Sequence, residues 1–245
     1  MSTIGIVCEG PRDYEMITKI VSHFSAIDFQ FQWLQPNQEF GTDLGSGWRG
    51  VYRWCEKYGG ILDSYLNDIT PKIDMLIIHM DADVIRCEKE VFCPFVSILC
   101  EGQGHQDYLN CEIAKKNKCP QKLPPNTVCD GSPRDRVSFA QKSIMFSLNI
   151  RDLDSTVIVI PCDSMEAWIL AAYEQERDDI EKIDSPWDII SRTKSFHGIR
   201  IKKDKKSKKA FEPLINQVCL CWDSVKQKCP QAQSFQDCFE SHFKE

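Results

Sequence analysis

The chain has 245 residues, with 30 Lys and Arg against 36 Asp and Glu, so its formal net charge is −6; 42% of residues are hydrophobic and 27% charged. That mix belongs to a globular protein and excludes a disordered, fibrous or collagen-like chain. No window approaches the ~18 uncharged apolar residues of a membrane span, and the opening MSTIGIVCEG lacks the basic and long apolar regions of a secretory signal, so a cytoplasmic protein is expected.

In chain order, residues 3–8 (TIGIVC) form the first apolar run and stop at Glu9-Gly10-Pro11. Pro11 opens PRDYEMITKIVSHF, where Tyr14, Ile17, Ile20, Val21 and Phe24 recur at helical spacing on one face. FQFQWLQ at 29–35 alternates and reads as an edge strand. Residues 48–66 predict a helix with a weak point at Gly59-Gly60, and IDMLIIHM at 73–80 is a strand apolar on both faces that ends at Asp81. Residues 86–130 are an insertion, loop-rich over 101–130. Ser132-Pro133 then begins the amphipathic PRDRVSFAQKSIMFSL. STVIVIP at 155–161 is another strand, followed by Cys162-Asp163, with Asp163 placed to cap a helix over SMEAWILAAYEQE. Residues 176–209 read as a polar lid or connector, and two helices follow at about 210–227 and 233–243.

Runs that are apolar on both faces are central strands of a mostly parallel sheet covered by helices on both sides. The expected fold is therefore α/β and Rossmann-like. An α/β domain spans 1–175, and 176–245 forms a basic connector and C-terminal helices packed on it. Thirteen cysteines, an odd number, fit a reducing compartment better than a disulfide framework. Six of them crowd into 87–129 with no C-x-x-C pair. They read chiefly as buried small hydrophobes and solvated thiols; a zinc site drawn from Cys87, Cys93, Cys111, Cys119 and Cys129 is the weaker alternative.

In open α/β sheets ligands gather at the carboxyl ends of the strands, and here those ends carry acids. Glu9 follows the first strand, with Asp13 four residues later. Asp81 and Asp83 follow a central strand as D-A-D, and Asp163 follows a later strand with Glu166 close behind. Each acid alone has an ordinary explanation as a turn residue, a solvated loop or a helix cap. Together they form a set that repels itself unless a cation is present. Oxygen-only donors suit Mg²⁺ or Mn²⁺, and two such ions ~3.5–4 Å apart would serve phosphoryl transfer. Between Lys202 and Lys209 six lysines and one Asp give a local charge of +5. Lys202, Lys203, Lys205, Lys206 and Lys208 are candidate contacts to a phosphate backbone. Lys205, Lys206, Lys208 or Lys209 could be a catalytic lysine, with Lys209, at the helix start, best defined. Arg134 and Arg136 are a further phosphate clamp, with salt bridging as the competing role. His79, which precedes the D-x-D inside an apolar strand, reads as packed rather than catalytic.

IGIVCEGPRDYEMI, LIIHMDADV and IPCDSMEAWILAA resemble the motifs of the TOPRIM (topoisomerase–primase) domain, in the form found in small nucleases related to the overcoming-lysogenisation-defect (OLD) proteins. The family's first motif carries Ser or Thr where this chain has Arg12; the D-x-D motif matches in full. The C-terminal KKAFEPLINQVCLCWDSVKQKCPQAQSF is also similar to the tail of these proteins. The resemblance covers most of the chain outside the insertion and implies a Mg²⁺- or Mn²⁺-dependent phosphodiester nuclease. Glu9 would be an acid–base or metal-associated group and Asp81 and Asp83 the main metal ligands. Asp13, with Asp163 or Glu166 or both, would complete a second metal position. It also implies a nucleic-acid substrate, DNA or RNA, and a partner ATPase encoded nearby in an anti-phage or abortive-infection setting. The competing reading is a non-catalytic metal- or partner-binding module that regulates such an ATPase. A phosphoacceptor receiver ranks last, because the strand at 155–161 is not followed by Lys. The oligomeric state is left open.

Overall fold

The computed structural model describes residues 2–36, 44–87, 132–150, 153, 155–174, 176–202 and 206–243. The Cys93–Cys129 part of the insertion, and with it the zinc alternative, lies outside the described residues. So do Lys203 and Lys205. Cys8, Cys55, Cys162, Cys219, Cys221, Cys229 and Cys238 are free thiols, and Cys8, Cys55, Cys162 and Cys229 are buried, as small hydrophobes would be.

Four strands form one parallel sheet: β1 (Ser2–Val7), β2 (Phe29–Gln35), β3 (Met75–His79) and β4 (Thr156–Val159). Their order is β2-β1-β3-β4, which puts the alternating FQFQWLQ at the edge. From β1 the chain moves outward to β2, then returns to the other side of β1 for β3. The direction of winding therefore reverses between β1 and β3, where open α/β sheets form their ligand crevice. Val7 is in register with Ile78, so the segments leaving the two strands emerge side by side.

Strand parity sorts the core into two layers. Ile4, Ile6 and Cys8, Met75 and Ile77, and Val157 and Val159 face one side. They pack there against α1 (Pro11–Phe24), α6 (Glu166–Tyr173) and the C-terminal helices α8 (Lys208–Leu220), α9 (Trp222–Lys228) and α10 (Pro230–Ser241). Val7, Leu76, Ile78 and Ile160 face the other side, against α2 (Gly47–Tyr58), α3 (Leu62–Asp68) and α5 (Pro133–Leu148). The short α4 (Asp83–Cys87) lies between β3 and the insertion. Trp168 and Trp222 meet edge to face, and Phe235 stacks on Trp168, welding α6 to the C-terminal helices.

One expectation changes, and the weak point at Gly59-Gly60 is found where it was expected. The segment 176–209 is not a polar lid. Ile180, Ile183, Ile190, Phe196 and Ile201 are buried in the same core layer as β1 and α1. These apolar anchors hold a short helix α7 (Pro186–Ile190) and a hairpin of β5 (Ser195–Phe196) and β6 (Ile199–Arg200). At Gly59 the helix gives way to a 3₁₀ turn (Gly59–Ile61), at a point of close packing. A Cβ on Gly59 would lie 2.5 Å from the Leu148 backbone.

Candidate functional site

The acids converge at the crevice between β1 and β3. The Asp81 N–H donates to Glu9 Oε1 at 2.8 Å, across 72 residues of sequence. The Glu9 backbone carbonyl in turn accepts from the Gly47 N–H at 2.9 Å, tying the start of α2 to the same point. Asp81 Oδ1 accepts from the Met165 N–H at 3.2 Å, so the turn before α6 is docked on the carboxylate that follows β3. Asp13 on the first turn of α1 and Glu166 on the first turn of α6 complete the cluster from the helical layer.

Burial and mutual repulsion act together on these groups. Asp81 is pushed from 3.8 up to about 8, first by burial and then by Glu166, while Lys206 and the Met165 N–H oppose the rise. Asp13 is pushed to about 7 by burial, against the pull of His79 and with the repulsion of Asp81 and Glu166 added. Glu9 is held well above the ordinary carboxylate range by burial and then by Asp81, with Asp13 and Asp83 adding to it. Carboxyls that resist ionisation side by side form a site that a cation would relieve.

One cation of the chain already reaches in. Lys206 Nζ lies 2.5 Å from Glu166 Oε1, and Nζ also sits 5.5 Å from the centre of the Trp187 ring. Burial pulls the ammonium down, but Glu166, Asp81 and Asp13 outweigh it, so Lys206 stays charged. The lysine at the acids is thus Lys206. Lys209, the expected catalytic lysine, is exposed on the first turn of α8. The helix starts at Lys208, which turns Lys209 outward and leaves Lys206 in the preceding loop, free to extend over the cluster.

Asp163 departs from its expected role as a helix cap. Its Oδ2 accepts from the Ser185 N–H at 2.8 Å, and Oδ1 lies 4.0 Å from Arg136 Nη2. The α6 N-cap is Met165 rather than Asp163. Of the two acids on this segment, Glu166 faces Asp81 and Lys206, while Asp163 holds the 184–185 turn. Arg136 is buried and pairs with Asp184 at 3.2 Å, so it is a structural ion pair and not a phosphate clamp. Arg134 is exposed, as are Lys202 and Lys208. Arg12 pairs along α1 with Glu15.

The two-residue spacing of D-A-D also works differently from expectation. β3 ends at His79 and Asp83 opens α4, with its N–H donating to the Asp163 carbonyl at 2.9 Å. The pair sharing a side is His79 and Asp81, whose Nε2 and Oδ1 are 3.2 Å apart. His79 is fully buried, and burial lowers its basicity against the raising effect of Asp13 and Glu166. Its position two residues before Asp81 was the available signal, hidden by the apolar run around it.

The donor chemistry of Glu9, Asp13, Asp81, Asp83 and Glu166 fits a hard divalent cation, since each brings carboxylate oxygens. Among the described residues no three His, Cys, Asp or Glu side chains stand ready-arranged around an ion. Lys206 and the Met165 N–H hold oxygens that a cation would share. No helix of the described residues is long and apolar enough to cross a membrane. No protein-family model, curated protein or solved structure matches this chain.

Proposed function

We propose that the chain is a metal-dependent phosphodiester nuclease of TOPRIM type, acting on DNA or RNA. The observation that carries this reading is the meeting of Glu9 and Asp81 at the winding reversal, with Asp13 and Glu166 beside them. Such a cluster sits where this fold class binds ligands and gathers more carboxylates than Lys206 alone offsets. Bound Mg²⁺ or Mn²⁺, as one or two ions, would supply Lewis-acid polarisation of the phosphate and an activated water. Asp81, Asp83, Asp13 and Glu166 would hold the metal. Glu9, kept weakly acidic by burial and by Asp81, is suited to pass a proton. Lys206 would place a fixed positive charge against the phosphoryl oxygens, where charge builds in the transition state. The exposed Lys202, Lys208, Lys209 and Arg134 would track the nucleic-acid backbone. A partner ATPase, and a role as the effector of an anti-phage or abortive-infection system, go with this reading.

A second reading is favoured by one observation: Lys206 already neutralises Glu166. The chain would then be a non-catalytic module that regulates an ATPase, with Lys206 standing in for a metal. Incubation with circular single- and double-stranded DNA and with RNA, in Mn²⁺ or Mg²⁺, separates the two. The nuclease reading expects cleavage by the wild type that Glu9→Gln and Asp81→Asn each reduce by about 10²-fold or more. Variants that cut as fast as the wild type would refute the site.

A further inference from the structure

We infer that His79 is an inner-sphere ligand of the bound cation, so that the site has a mixed nitrogen and oxygen donor set and selects Mn²⁺ over Mg²⁺. This rests on the metal-centre reading above and adds a ligand of different chemistry to it.

The starting observation is a buried imidazole beside a carboxylate but with no hydrogen bond. His79 has no exposed surface, and neither Nδ1 nor Nε2 makes a hydrogen bond. Buried ring nitrogens are almost always satisfied, by protein or by ordered water, and an exception calls for a cause. His79 is not placed to be merely apolar filler. It is the last residue of β3, on the same face as Ile77 and Asp81, and that face turns toward α1 and α6. Its charged surroundings are Asp81 from its own strand end, Asp13 from α1, Glu166 from α6, Lys206 from the loop before α8, and Asp83 from α4.

The geometry favours coordination over a direct hydrogen bond. Nε2 lies 3.2 Å from Asp81 Oδ1, yet the two are not aligned for an N–H to donate. Two neighbouring ligands at right angles on an ion with bonds of about 2.1 Å lie about 3 Å apart. The His79–Asp81 separation of 3.2 Å has room for both groups as neighbouring donors to one ion. An imidazole nitrogen is a poor ligand for Mg²⁺, which prefers oxygen and holds its waters, whereas first-row transition ions accept nitrogen readily. Adding one nitrogen to carboxylates shifts preference toward Mn²⁺ while keeping the hard oxygen donors that suit it.

The test is spin-echo spectroscopy of Mn²⁺ bound to the full-length, chelator-stripped protein. The wild type is expected to show nitrogen modulation of the Mn²⁺ signal that changes from the ¹⁴N to the ¹⁵N pattern when histidine is ¹⁵N-labelled. His79→Asn is expected to lose that modulation and to bind Mn²⁺ about tenfold more weakly or worse. Its Mg²⁺ affinity, measured by calorimetry, is expected to change less than about threefold. Mn²⁺ that binds the wild type without histidine nitrogen coupling would overturn the role of His79 and leave the carboxylate centre standing. Nitrogen coupling that persists in His79→Asn would also overturn it, by assigning the coupling to another histidine. No Mn²⁺ binding by the wild type would overturn the metal centre, and this inference with it.

Discussion

Replacing Asp81 by Asn is expected to stabilise the metal-free protein at alkaline pH, although it removes a residue of the proposed centre. Asp81 is buried among Glu166, Asp13 and Asp163 and holds its proton up to about pH 8 in the folded state, against 3.8 in the ordinary state. A raised carboxyl contributes stability that is complete below the unfolded value and is lost as pH climbs through the folded one. At about 1.4 kcal/mol per tenfold change in acidity, the full interval corresponds to roughly 5–6 kcal/mol. The carboxylate retains 15% exposure, and Asp13 and Glu166 can take up protons in its place. The measurable difference should therefore be about 2–3 kcal/mol. Asn preserves the acceptor for the Met165 N–H and the shape of the side chain while removing the charge. Urea unfolding in chelator at pH 4 and pH 8.5 is the assay. The two proteins should be nearly equal at pH 4, with Asp81→Asn more stable at pH 8.5. Excess Mn²⁺ should reverse the order, because only the wild type gains from binding. A variant less stable than wild type at pH 8.5, or a gap of the same size at both pH values, would refute the electrostatic reasoning.

Lys206→Ala should lower nucleic-acid cleavage by about 10²-fold or more, whereas Lys209→Ala should change it less than about threefold, since of these two Lys206 reaches the acids and Lys209 is exposed; parallel rate assays on the two variants check this, and the opposite ranking would restore Lys209. Gly59→Ala should destabilise by about 1–3 kcal/mol in urea unfolding, because its Cβ would press on the Leu148 backbone at 2.5 Å and main chain cannot swing away. Gly60→Ala, with open space around its Cβ, is the control and should be neutral or slightly stabilising. Equal effects at the two positions would show that helix α5 yields at Leu148.

The parts of the fold legible from sequence were those set by local periodicity. β2 and α1 fall on the residues whose pattern predicted them, β3 and β4 lie inside the apolar runs, and β1 is offset by one residue from its own. The acids at the strand ends were legible for the same reason, because strand ends in a parallel sheet share one edge. What was not legible depends on long-range partners. Asp163 is taken up by Arg136 and the Ser185 N–H, and nothing near it in sequence announces either. The choice of Lys206 over Lys209 turns on where one loop ends and how far a lysine extends. The lysine-rich run hid the buried Ile180, Ile190 and Phe196 that fasten 176–209 to the core, since sparse apolar anchors leave no period. His79 was masked by its own apolar neighbours, which made an imidazole facing five charged groups look like filling.

The most direct measurement is a crystal structure with Mn²⁺ recorded at the manganese absorption edge. An anomalous peak within about 2.5 Å of oxygens from Asp81 and at least one of Glu9, Asp13, Asp83 or Glu166, with Lys206 displaced from Glu166, is the expected result. Saturating Mn²⁺ with no anomalous density at these carboxylates, and the Lys206–Glu166 pair still closed, would contradict the account.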